Sequence, residues 1–321
     1  MSRRTRVLGT LALTGGAVAY LVWKIDVGTT VDALVDANLW WFALAVAIMV
    51  GTVPFQALRW SWLLKAQGIH EKLPWLTRSY LVSYTAGQLL PTAIGGDAVR
   101  VVESARRHPG RVGDLTAIVA LERGLGGAAT LLLGAVGFLL AVGHYDVSAY
   151  IWIEGVFVLG TFALLFLFFS RAARPLLRRT QPLLVRLRLD RALRAFYDGI
   201  HHYRGHARLL WGAFAYTTAL QAVRVLAIWA AAQAVGIELG PRIYYVMGPL
   251  FFLVMLVPFT LNGFAVREAF FVSFLGSVGV GADEAFAAGF LFFLVTVAMA
   301  LPGAAILLRE GLRPNPRAEH G

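Results

Sequence analysis

The sequence predicts an all-α polytopic membrane protein of about six transmembrane helices plus two re-entrant helical hairpins in an inverted repeat. Three observations carry that prediction. Of 321 residues, 58% are hydrophobic and 15% charged, with a mean hydropathy of +0.68, well outside the usual soluble range. Several stretches reach the ~20 apolar residues that a bilayer core of ~30 Å demands of a helix, and no period-2 strand pattern competes with them. A short element, "PTAIGGDAVR" at 91–100, also recurs in register as "PFTLNGFAVR" at 258–267: Pro, a branched apolar residue, Gly, then Ala-Val-Arg.

Taken in order, "MSRRTRVLGTLALTGGAVAYLVW" has a basic head and an apolar run with no small-residue cleavage site after it, so it reads as a retained helix at 7–23. Further spans are expected at 39–58, 116–142, 149–170, 210–235 and 282–308. Two apolar pieces, 79–95 and 244–259, are shorter or interrupted, and each runs into one copy of the repeated element. Arg and Lys in short loops set the orientation. Arg3, Arg4 and Arg6 put the N-terminus in the cytoplasm, and Asp26, Asp32 and Asp36 suit an outside loop. Arg59, Lys65, Lys72 and Arg78 bring 59–78 back inside; Arg100, Arg106, Arg107 and Arg111 stay inside only if 79–95 dips and returns. Arg309, Arg313 and Arg317 place the C-terminus inside, which requires 244–281 to leave and re-enter the outer face.

The expected organisation is an N-terminal membrane half, 1–170, with a first re-entrant element at 79–98; a basic cytoplasmic linker, 171–208; and a C-terminal half, 209–321, with a second element at 244–281. The two elements then enter from opposite leaflets, as in transporters built from inverted-topology repeats with broken helices. In the linker Leu189, Leu193, Phe196, Ile200 and Tyr203 form a helical stripe with arginines on the other faces, the pattern of a helix lying on an anionic leaflet.

The composition also excludes. The net charge of +11 comes from arginines lying between apolar spans, which topology explains better than nucleic-acid binding does. The chain contains no cysteine, hence no disulfide framework, thiolate metal site or Cys nucleophile. His202 and His206 lie four apart without the Glu of an HExxH pattern, so no metal is expected, and no cofactor. No GxSxG, HExxH or P-loop motif and no nucleotide-sized soluble domain is present, so enzyme chemistry is not expected. Asp97 and Glu103 could pair, but two carboxylates on one short stretch are a weak catalytic signal.

A charge buried in a bilayer costs ~2.5–3.5 kcal/mol at a helix centre and is a functional candidate by default. Arg224 is the sharpest, mid-span and three residues after Gln221. Glu122 and Arg123 lie about two turns into the 116–142 span, where Gly124, Gly126 and Gly127 are expected to admit a neighbouring helix. Arg100 and Arg267 close the two repeated elements, with Asp97 and Glu103 near the first and Asn262 and Glu268 near the second. Guanidinium forks and helix N-termini favour an anionic ligand. The simpler account has Arg100 obeying the positive-inside rule and Arg267 pairing with Glu268.

Leu90-Pro91, Gly95-Gly96-Asp97, Arg100, Glu122-Arg123, Asn262-Gly263 and Arg267-Glu268 together resemble the lysylphosphatidylglycerol synthase transmembrane (flippase-like) family, over about residues 35–310. The resemblance implies a multi-pass protein of a prokaryotic cytoplasmic (inner) membrane that moves lipids or lipid-linked intermediates between leaflets. The sequence, running to Gly321, has no stretch like the aminoacyl-transferase domain of full-length synthases, so synthase activity is not expected. The expected partner is a membrane phospholipid, a polyprenyl-phosphate-type lipid or a hopanoid, held by Arg100, Arg224 and Arg267. The alternative is a non-transporting scaffold for a lipid-modifying enzyme or glycosyltransferase. The sequence does not decide the oligomeric state.

Overall fold

The computed structural model describes residues 26–89, 95–141, 203–255 and 265–311, with the isolated helical positions 152, 155 and 159. The expected helix at 7–23, the rest of the 149–170 span, most of the 171–208 linker, and Leu90, Pro91, Asn262 and Gly263 lie outside the described residues. Among the described residues the protein is all helix. Its α-helices are α1 (Val27–Val35), α2 (Leu39–Ala66), α3 (Leu73–Leu89), α4 (Gly95–Arg107), α5 (Val112–Ala141), α6 (Ala207–Ala234), α7 (Pro241–Val254), α8 (Val266–Ser277) and α9 (Ala282–Gly311), with a 3-10 turn at Tyr203–Gly205. Four of them, α2, α5, α6 and α9, are long and apolar enough to cross a membrane.

Local chemistry sets the ends. Asp26 caps α1, and the backbone N–H groups of Thr29 and Gly28 hold its carboxylate pKa below the ordinary range. Asn38 caps α2 by accepting from Trp40 N at 3.0 Å. The expected end of this helix at 58 is too early: nothing breaks it before Gly68, which adopts φ +73° while Ile69 N donates to Leu64 O at 2.9 Å, a Schellman stop. Gly236 ends α6 in the same way, with Ile237 N donating to Ala232 O. Pro74 and Pro241 occupy first turns of α3 and α7, where a missing N–H costs nothing. Those helices accordingly begin before 79 and 244.

Contacts between ends define two poles. At one, Asn38 N donates to Ala234 O (2.7 Å) and Asp26 N to an Asp283 carboxylate oxygen (2.6 Å), so α2 starts where α6 ends, and α1 starts beside the start of α9. At the other, Tyr203 Oη donates to Leu63 O (2.7 Å) and Arg78 ion-pairs with both Glu103 and Glu310. Arg107 and His108 meet Glu71 there, at 2.7 and 3.0 Å. Hence α2 and α6 are antiparallel, and α3 and α4 leave and return to one pole.

The packing partners repeat in pairs. α2 lies along α6; α3 packs on α9 as α7 packs on α5; α6 rests on α5 as α2 rests on α9. Close approach falls at Gly303, where a Cβ would strike Leu81 O and Thr85 Oγ1, and at Gly137, where it would strike Tyr245 O. Thr85 Oγ1 uses that proximity to donate to Ala300 O at 2.6 Å. Among the described residues nothing lies within 4 Å of a Cβ at Gly124, Gly126 or Gly127, which are expected to admit a helix. The short helices depart from the pairing: α4 leans on α3, whereas α8 leans on α9 and meets α7 mainly through Phe251, Phe270 and Phe271.

Candidate functional site

Six helices surround a cavity of about 570 Å³, with an adjoining recess of about 130 Å³. Helical periodicity assembles the lining. α5 contributes Glu122, Gly126 and Thr130, four residues apart on one face, and also Arg123 and Gly127. Having no side chains, Gly126 and Gly127 provide part of the space itself. α2 adds Gln56 and Arg59, α3 Tyr80, Ser83 and Tyr84, α4 Asp97 and Arg100, α6 Gln221 and Arg224, and α7 Phe252 and Leu253. α4 comes near enough for this because Gly96 faces Ser83 of α3, where a Cβ would strike Ser83 O.

Glu122 is the hub. Its Oε1 accepts from Arg59 Nη2 (3.1 Å) and Tyr80 Oη (2.8 Å), and its Oε2 lies 2.8 Å from Arg100 Nη2 as an ion pair. Arg59, Arg100 and Glu122 are 8%, 2% and 3% exposed. Arg59 Nη1 donates to Thr217 Oγ1 at 2.9 Å, tying α2 to α6. Arg100 also reaches Asp97 (3.2 Å), and its guanidinium carbon sits 4.6 Å and 4.3 Å from the ring centres of Trp60 and Tyr80, cation–π contacts that soften its burial. Asp97 takes a second partner, Arg123, across to α5.

Towards the pole where α6 ends, the lining becomes sparse in anions. Gln221 Nε2 donates to Thr130 Oγ1 at 3.3 Å, Arg224 Nη1 to Gln221 Oε1 at 3.3 Å, and Arg224 lies 5.5 Å from the Phe252 ring centre. Among the described residues Arg224 has no carboxylate partner, and its buried Nε has no acceptor. Among the described residues that line the cavity are four guanidinium groups, from Arg59, Arg100, Arg123 and Arg224, and two carboxylates, Asp97 and Glu122.

Five of the sequence candidates therefore meet: Asp97, Arg100, Glu122, Arg123 and Arg224. Arg267 and Glu268 do not line this cavity. They pair with each other on α8 (Nε to Oε1, 2.9 Å), with Arg267 4.5 Å from the Phe293 ring centre of α9. The grouping of Arg267 with Arg100 and Arg224 is corrected accordingly: α8 leans away from α7, carrying its arginine to α9. Asn262 lies outside the described residues. Arg59, Gln56, Tyr80 and Tyr84 were missed, Arg59 because it read as a loop cation. A signal was present: Gln56-Ala-Leu-Arg59 and Gln221-Ala-Val-Arg224 share one spacing, and both pairs face the cavity.

The model of the family described as "Lysylphosphatidylglycerol synthase TM region" matches residues 7–303. The protein named Glycosyltransferase AglD, from Haloferax volcanii, is 32% identical over 169 residues, covering 46% of this chain and 27% of that relative. The match thus spans about a quarter of the relative's length.

Proposed function

The chain belongs to the lysylphosphatidylglycerol synthase TM region family, and from that premise we propose that it is a flippase-like protein moving an anionic lipid between the leaflets of a cytoplasmic membrane. The observation that carries the proposal is the cavity whose lining, among the described residues, sets four guanidinium groups against two carboxylates. A phosphate headgroup would neutralise it while acyl chains stay in the bilayer. Guanidinium forks suit phosphate oxygens, and Gln56, Ser83, Tyr84, Thr130 and Gln221 add neutral hydrogen-bonding groups.

The finer architecture belongs to the same proposal. Among the described residues α3, α4, α7 and α8 span 17, 13, 14 and 12 residues, and α7 and α8, capped at both ends, fall short at ~1.5 Å per residue of the ~30 Å of a bilayer core. We read them as two re-entrant hairpins, with α2–α5 and α6–α9 as inverted copies. The antiparallel Gln-x-x-Arg pairs, the paired packing and the shared Ala-Val-Arg entries to α4 and α8 support that reading. Alternating exposure would follow from one copy rocking against the other. The pole bearing Arg78, Arg107 and Arg111 is cytoplasmic by the positive-inside rule.

Two measurements test it. Purified protein in vesicles is expected to accelerate exchange of a tail-labelled anionic phospholipid over empty vesicles; a wild type no faster than empty vesicles overturns transport in favour of the scaffold. Because the chain has no cysteine, single reporters are background-free: His108→Cys should label only from the cytoplasmic side and Gly240→Cys only from outside. Labelling of both from one side would overturn the assigned topology.

A further inference from the structure

We propose that the protein has a second lipid site, separate from the central cavity: a groove on its flank that seats one phospholipid of the leaflet at the Arg78 pole, with the phosphate on Arg106 and an acyl chain against Val102 and Leu307. The groove has a volume of about 610 Å³. α3 forms its floor through Arg78 and Val82, and α4 and α9, which both pack on α3, form its walls. The helical period of α4 keeps the two sites apart. Asp97 and Arg100 turn to the central cavity, whereas Ala98, Val102 and Arg106, at i, i+4 and i+8, make one row facing the groove.

The groove changes character along its length as a lipid does. α4 and α9 both run towards the Arg78 pole, so Ala98, Val102 and Leu307 lie deeper than Arg106 and Glu310. At ~1.5 Å per residue, Ala98 and Arg106 stand about 12 Å apart along α4. The deep part is open to the side. Val102 and Leu307 are 52% and 40% exposed, and what a bilayer sets against them at that depth is acyl chain, not water.

The polar end selects a phosphate. Glu103 and Glu310, the carboxylates of the groove among the described residues, are both turned to Arg78, and Ser79 Oγ also donates to Glu103 at 2.9 Å. Arg106 is exposed and enters no ion pair among the described residues, so its guanidinium fork is open to phosphate oxygens. A phosphate joined to acyl chains is the anion that a bilayer presents at this depth, and basic pockets between membrane helices hold lipid headgroups in this way. Because α4 carries Asp97 and Arg100 on its other side, the seated lipid braces a helix that lines the central cavity.

The test uses the full chain in detergent with a single reporter, since it contains no cysteine: Leu308→Cys, at a position beside the groove that is 67% exposed, carrying a fluorophore. Phosphatidylglycerol brominated on its acyl chains is expected to quench the reporter along a saturable curve. Arg106→Gln should move the midpoint about tenfold to higher lipid, the weight of one charge-assisted contact, and brominated diacylglycerol, which has the chains without the phosphate, should bind the unaltered groove as weakly. Val102→Trp, which fills the acyl end and keeps Arg106, should abolish saturation, while Arg224→Gln, in the central cavity, should leave the curve unchanged. Identical curves with and without Arg106→Gln, or equal quenching by diacylglycerol, would reduce the groove to ordinary lipid contact and overturn the inference. Shielding of the reporter in step with self-association would give the groove to a second copy and overturn it too. Each of these outcomes leaves the flippase reading intact, because exchange is measured in vesicles and depends on Arg224, on the far side of α4 from this row.

Discussion

Replacing Glu122 by alanine is expected to cost about 3–5 kcal/mol of stability, because it strands two buried guanidinium groups at once. Arg59 and Arg100 reach the same carboxylate from α2 and α4, with Nη2–oxygen distances of 3.1 and 2.8 Å, and Tyr80 donates to it from α3. The carboxylate itself comes from α5, so four helices converge on one side chain. Without it Arg59 is left with the neutral Thr217 and no carboxylate, and Arg100 with Asp97 as its carboxylate, among the described residues. Unfolding in detergent by heat or denaturant measures the loss. A hydrogen bond between membrane helices averages well under ~2 kcal/mol, so a cost of about 1 kcal/mol would mean that Glu122 is one contact among many and not the hub. The control is the triple variant Arg59→Leu, Arg100→Leu, Glu122→Leu. Apolar replacement of a buried ionic cluster is often neutral or stabilising, so this variant should recover stability and still exchange no anionic lipid.

How much of this was legible in the sequence depended on how local the signal was. α2, α5, α6 and α9 announce themselves because a bilayer demands ~20 apolar residues in a row, and the structure finds them within a few residues except at the end of α2. There the apolar run stops near 58 but the helix continues to Ala66; hydropathy measures lipid exposure, and the last turns of α2 face protein. Arg59 was misread for that reason, since a charge just beyond an apolar run looks like a loop residue. The re-entrant reading of α3 and α4 comes from counting arginines on each side, and the structure adds that Arg78 of α3 and Glu103 of α4 meet at one pole. The fate of Arg267 was not legible, because Ala-Val-Arg is the same in both copies and the difference lies in whether the short helix leans on the helix before it or the one after. Glycines 124, 126 and 127 show the same limit: a missing side chain signals either a close neighbour or a space, and only the packing of other helices decides.

Arg224→Ala should then slow exchange of an anionic lipid by about 10- to 100-fold, the cost of losing one charge-assisted contact of ~1.5–3 kcal/mol, while leaving stability within about 1 kcal/mol of wild type. The asymmetry follows from its partners. Arg224 holds no carboxylate among the described residues, only Gln221 at 3.3 Å and the Phe252 face, so removing it orphans no buried anion. Arg267→Ala, by contrast, leaves Glu268, 3% exposed, without its 2.9 Å partner, and should cost stability rather than cargo recognition. Exchange rates and unfolding midpoints measured on both variants separate the two roles. If Arg224→Ala lost several kcal/mol of stability with exchange unchanged, the arginine would be a strut between α6 and α7 and not the cation that chooses the anion.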